Sequence, residues 1–148
     1  MAGVTTISFC GVLLLILLII LMKVRAGFSE IDEKFGKPYL AKLVKTIGDH
    51  PDLKRGSMAI SLHPKDAIAF NRKVFLFSQI SSIKIISQLP MKLNNRKTAG
   101  NSEIEEQYLY IKIKDEHGEH EIVFTAKSDF KEIANQLIQK WNRYNLLS

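Results

Sequence analysis

Gly56-Ser57-Met58-Ala59-Ile60-Ser61-Leu62-His63-Pro64-Lys65-Asp66-Ala67-Ile68-Ala69-Phe70-Asn71-Arg72-Lys73-Val74-Phe75-Leu76-Phe77 is the stretch that decides the fold. Met58, Ile60 and Leu62 alternate with Ser57, Ala59 and Ser61, the period of two that marks a strand with one buried face. His63-Pro64-Lys65 breaks the alternation. Ala67 to Phe70 reads as a second strand, Asn71-Arg72-Lys73 as a tight turn, and Val74 to Phe77 as a third strand. Connections this short join antiparallel neighbours.

Toward the C-terminus the pattern continues. Ile80 to Ser87 is a fourth strand, rich in β-branched residues at Ile83, Ile85 and Ile86. Gln88 to Gln107 carries Pro90, Asn94, Asn95, Gly100 and Asn101 and reads as a long loop, with room for a short strand around Met91 to Leu93; loops of this length are usually functional or disordered. Tyr108 to Lys114 alternates again, with Leu109, Ile111 and Ile113 on one face. Asp115-Glu116-His117-Gly118 turns the chain into a partner strand from Glu119 to Thr125. Ser128 is a good N-cap for a last helix, whose stripe of Phe130, Ile133, Ala134, Leu137, Ile138, Trp141 and Tyr144 must cover the sheet.

Toward the N-terminus the character changes. Pro38 and Gly48 suit the start and stop of a short helix. Leu40, Leu43, Val44 and Ile47 between them fall on one helical face, with Lys37, Lys42 and Lys45 off it. This predicts an amphipathic helix within a juxtamembrane stalk, 24–52, that lies either on headgroups or on the following domain. Before it, no charge occurs until Lys23, and Val4 to Met22 is almost wholly apolar. As a helix that run spans roughly 28 Å, close to a bilayer's hydrocarbon thickness. Residues 1–23 are therefore expected to hold a transmembrane helix, with the span at about 4–22. Lys23 and Arg25 follow it and no cation precedes it, which places the N-terminus outside and the rest in the cytoplasm. Val24-Arg25-Ala26 loosely fits a signal-peptide cleavage site. The uncharged start, the length of the run and the two cations before that site favour an uncleaved anchor in the cell membrane. A single cysteine, Cys10, allows no intrachain disulfide.

The formal net charge of +6 is spread unevenly. From Ala67 to Ser102 the chain has Arg72, Lys73, Lys84, Lys92, Arg96 and Lys97 and no acid, whereas Glu103 to Glu121 is dominated by acids. Those six cations are the candidate binding residues, for anionic headgroups or for a peptide or protein. Catalytic parts are not evident: the serines lack a His/Asp pattern and no phosphate-cradling glycine loop occurs, so an enzyme is not expected. His117 and His120 with Glu116 and Glu121 have the composition of a metal site. Three-residue spacing on a hairpin divides them between faces, so they read as a solvated turn, and no metal or cofactor is expected. His50 and His63 stand beside prolines and read as loop residues. The cations do not interleave with aromatics in a nucleic-acid module.

The order of elements resembles the pleckstrin-homology superfold. Lys54 to Leu62 with Ala67 to Phe70 resembles the first hairpin of bacterial pleckstrin-homology domains, and Ile122 to Phe130 through Trp141 resembles their last strand and C-terminal helix. The resemblance implies an α+β chain: a transmembrane helix followed, over 53–148, by an antiparallel β-sandwich or barrel capped by a C-terminal α-helix. In overall build, with one N-terminal span, the Lys23/Arg25 flank and such a domain, the chain is similar to the sublancin immunity family. That likeness implies protection of a producing cell against its own bacteriocin, by binding of the peptide or its membrane target. The alternative is a general headgroup- or partner-binding accessory module.

Overall fold

The computed structural model describes residues 2–94, 107–126 and 128–148. Helix α1 (Ala2–Phe35) leads into strands β1 (Leu40–Gly48), β2 (Gly56–His63), β3 (Ala67–Phe70) and β4 (Lys73–Leu76). A 3-10 turn (Phe77–Gln79) joins β4 to β5 (Ile80–Ile86). A short helix α2 (Met91–Asn94), strands β6 (Tyr108–Asp115) and β7 (Gly118–Thr125) and helix α3 (Phe130–Leu147) complete the chain. The strands form one antiparallel sheet in the order β4-β3-β2-β1-β7-β6-β5. The sheet is open: β4 and β5 are its edges, so the expected α+β class holds but a closed barrel does not form.

The period-two reading locates β2, β3, β4, β6 and β7 to within a residue or two. Ile60, Leu62, Ile68, Phe70 and Phe75 point inward with Leu109, Ile111, Ile113, Ile122 and Phe124. Phe130, Ile133, Ala134 and Leu137 of α3 close this core. Its cap lies one residue beyond the expected Ser128: Asp129 is the N-cap, without a side-chain hydrogen bond. Lys42 reaches the same helix start, 3.6 Å from Asp129 and 3.4 Å from Glu132, an exposed pairing in which the two carboxylates, not the cation, suit the positive end of the helix dipole.

The expected amphipathic helix is instead β1, the central strand, paired with β2 on one side and β7 on the other. Leu40 and Val44 are buried inward while Leu43 is 69% exposed. A helical face would have hidden Leu43 and Val44 together. Apolar residues at i, i+3, i+4 and i+7 also divide between the two faces of a strand, and the β-branched Val44, Thr46 and Ile47 favour the extended form. Ladders on both sides then outweigh helix propensity. The sheet therefore begins at Leu40, inside what the sequence suggested was a stalk.

No separate stalk follows the apolar run either. α1 is a 34-residue helix, roughly 50 Å long. Its stretch from Cys10 to Phe35, whose most apolar 18-residue window has a mean hydropathy of 2.3, is long and apolar enough to cross a membrane. From Lys23 onward the same helix lies across the outer face of the sheet. That face carries Ser61, His63, Ala67 and Ala69 in register, and both alanines are fully buried. Contacts at its two ends belong to α1. At one, the Arg72 guanidinium donates to the Lys23 carbonyl at 3.2 Å and packs on Gly27. At the other, the β2–β3 turn caps the helix: Lys65 N–H donates to Phe35 O, Lys65 Nζ to Lys34 O, and His63 Nδ1–H to Gly36 O at 2.7 Å. Gly36, at φ +84°, supplies the left-handed residue that ends a helix, against the Pro64 ring. Lys65 also sets a cation at the negative end of the dipole. His63, expected as a loop residue, is a buried strand residue, its Nε2 taking the Ser61 hydroxyl at 3.0 Å.

Candidate functional site

Three connections meet at the end of the sheet nearest Lys23: the β1–β2 loop (49–55), the β3–β4 turn at Asn71-Arg72 and the β6–β7 turn at Glu116-His117. Their positions follow from local chemistry. Asn71 takes φ +53°, tolerable for Asn, and its Oδ1 accepts the Ala59 N–H at 2.8 Å while its own N–H donates to Ala59 O. Gly118, at φ +105°, closes the other hairpin. The Asp115 side chain accepts the His117 N–H at 2.9 Å, an Asx turn.

His50 joins two of the connections. Its ring is buried, its Nε2–H donates to Asp115 Oδ2 at 2.8 Å, and its Nδ1 accepts the Asp52 N–H at 3.1 Å. These partners fix a neutral tautomer. The ring also stands edge-on to Phe75, His117 and His120, at 5.1, 5.9 and 4.9 Å between centroids. The sequence gives no sign of this pairing, since the partners are 65 positions apart. The hydrogen bond from His50, with the His117 N–H, holds Asp115 below its ordinary carboxylate value against the opposing effect of burial. A carboxyl lowered in the fold stabilises it above the unfolded-state value of 3.8 and loses that contribution as pH falls through the folded value. Asp115→Ala is expected to cost about 1–3 kcal/mol at neutral pH, because it strands the buried His50 donor. The difference from wild type should shrink below pH 3.8 in thermal melts; a constant difference would remove the pair from the account.

The six candidate cations do not form one site. Arg72 and Lys73 stand at this end, and both are engaged: Arg72 with Lys23 O, Lys73 with Asp52 at 2.6 Å. That contact lowers Asp52 and raises Lys73 from their ordinary values. Lys84 lies on the outer face of β5, its ammonium 4.9 Å from the Tyr110 ring. The Tyr110 hydroxyl, pushed up to about 12 by burial and by Glu121, donates to Glu121 Oε1. Lys92 is on α2, beyond the end of β5 that pairs with Tyr108, and so at the opposite end of the sheet from Asp115. Arg96 and Lys97 lie outside the described residues. Folding also brings acids into the acid-free run: Asp52, Asp115 and Glu116 surround Lys73, Asp49 stands beside His120, and Lys54 and Arg55 follow in the β1–β2 loop. The result is a mixed-charge end, with a shallow cleft of about 280 Å³ lined by Lys73, Val74, Phe75, Gln79, Asp115 and Glu116.

His117 and His120 occupy the expected turn region. His117 Nε2 lies 3.7 Å from Asp52 and His120 Nδ1 lies 3.6 Å from Asp49. Among the described residues, no group of three or more His, Cys, Asp or Glu is placed to hold a metal ion. Lys54, Arg55 and His50 are the residues of this end that sequence reasoning did not single out. For the first two the signal was present, a basic pair directly before the β2 glycine. No family model matches the chain, and no curated protein matches its sequence.

Proposed function

We propose that this chain is a single-pass protein of the cell membrane, N-terminus outside, whose cytoplasmic pleckstrin-like domain binds a partner at the bilayer surface. The proposed role is self-immunity against a bacteriocin of the sublancin type. One observation carries the reading. α1 runs without a break from the apolar segment onto the sheet, and Arg72 bonds the carbonyl of Lys23, the first charged residue after that segment. With the span in the bilayer, the mixed-charge loop end stands at headgroup level and the β2–β3 turn points away from it. The positive flank of Lys23 and Arg25 supports the orientation. The strand order with a C-terminal capping helix supports the pleckstrin-like reading. A domain held beside the membrane meets a membrane-bound peptide at high effective concentration, so a weak contact suffices.

The second reading takes anionic headgroups as the ligand, and Lys54 and Arg55 on the same loop end favour it. One experiment addresses both. A photo-crosslinker at position 54 of the full chain, in nanodiscs containing phosphatidylglycerol, is exposed to the bacteriocin. Labelled peptide is expected under the immunity reading, and labelled lipid alone under the second. Expression in a sensitive cell completes the test: survival at a peptide dose that kills the parent strain is expected, and unchanged killing would overturn the immunity role.

A further inference from the structure

The mixed-charge end contains a group that the binding reading does not use. His50 has no exposed side-chain surface, and both ring nitrogens are committed. Nδ1 accepts the Asp52 N–H, so it must carry no proton of its own. We infer that the β1–β2 loop is an acid-released latch: when His50 takes up a proton, its hold on Asp52 breaks and the segment carrying Lys54 and Arg55 is set free. This inference needs only the fold and stands whether or not the proposed function does.

A second ring proton would sit on Nδ1 and point at the Asp52 N–H, two donors face to face at 3.1 Å. The Phe75 ring packs against the imidazole in a T-shaped contact, 5.1 Å between centroids. The Asp52 amide must therefore move, and with it the turn in which Leu53 N–H donates to His50 O. Asp115 remains as the partner of Nε2–H and favours the charged ring, while Lys73 holds the Asp52 carboxylate on the loop's other side. Two further imidazoles face the ring. The His117 side chain is 42% exposed and within 3.7 Å of Asp52 and 3.5 Å of Glu116; His120 is 3.6 Å from Asp49. Both have a carboxylate at hand. A proton on either, 5.9 and 4.9 Å from the His50 ring, opposes a proton on His50. A charged His117 also competes with Lys73 for the Asp52 carboxylate, loosening the loop from its second side.

The test is amide hydrogen exchange on the full chain in phosphatidylcholine nanodiscs, corrected for the intrinsic pH dependence of exchange. Between about pH 7.5 and about pH 5, protection at 49–55 should fall at least about tenfold while β6 amides keep theirs. His50→Gln, which keeps a donor for Asp115 and does not titrate, should abolish the change. His117→Gln with His120→Gln should move the transition to higher pH by removing the opposing charges, and this variant remains informative if His50→Gln does not fold. Equal corrected exchange at both pH values, a transition that survives His50→Gln, or a transition that stays or falls in the double variant would each overturn the latch.

Discussion

Ile16→Arg combined with Ile19→Arg is expected to move the chain out of the membrane. Both positions lie within the apolar window and are about half exposed in the isolated chain, 51% and 46%. A run of large apolar side chains this exposed marks a surface that a membrane or a partner covers, and the proposed span assigns it to lipid. An arginine at the centre of a span costs about 2.5–3.5 kcal/mol on insertion scales, so two cost roughly 6 kcal/mol. The wild-type chain should stay with membranes through alkaline carbonate extraction, and the double variant should appear in the soluble fraction. The domain beyond α1 does not use these residues, so its core should survive the change. Retention of the variant in the membrane would mean that something other than the apolar run holds the chain there.

Phe70→Ala should cause the largest loss of stability from a single site. Phe70 is fully buried, and its ring stands edge-on to Phe75 at 6.2 Å and to Phe124 at 6.0 Å. It therefore links the β3–β4 hairpin to β7 across the inner face. Truncating such a side chain costs about 3–5 kcal/mol, through lost transfer energy and the cavity left behind. Small domains have only about 5–15 kcal/mol in all. At about 4–8 °C per kcal/mol, a fall in Tm on the order of 15–30 °C follows for a domain of this size. A shift of a few degrees would place Phe70 outside the shared core.

The parts of the fold that were legible share a cause. In β2 and β6 the inward face is aliphatic while the other carries small, tyrosyl or polar residues, and in α3 one stripe is buried, so the pattern is written as a period of two or of 3.6. β1 was misread because Leu40, Leu43, Val44 and Ile47 satisfy both templates, and tertiary pairing chose between them. The docking of α1 left a fainter trace. Val24, Phe28, Ile31 and Phe35 recur at helical spacing past the apolar run, yet acids at Glu30, Asp32 and Glu33 and the cation Lys34 interrupt the stretch. The matching signal on the sheet is the small pair Ala67 and Ala69, which reads as weak strand rather than as a floor for a helix. The candidate site was the least legible part. Charge counted along the chain promised a basic region, but strands return at short intervals, and the β1–β2 and β6–β7 connections carry Asp52 and Asp115 to Lys73 and His50. Linear charge survives folding only where the neighbours in space are also neighbours in sequence.

The account depends on α1 joining bilayer and domain as one rod, with the β1–β2 loop toward the lipid and the β2–β3 turn away from it. Depth measurement in nanodiscs tests this directly. Nitroxides are placed singly by Lys54→Cys and by Lys65→Cys, each with Cys10→Ser, and their relaxation by a nickel chelate carried on lipid headgroups is recorded. The account predicts strong relaxation at position 54 and weak relaxation at position 65, which lies roughly 20 Å farther along the strands. Equal relaxation at the two positions, or the reverse order, would contradict it.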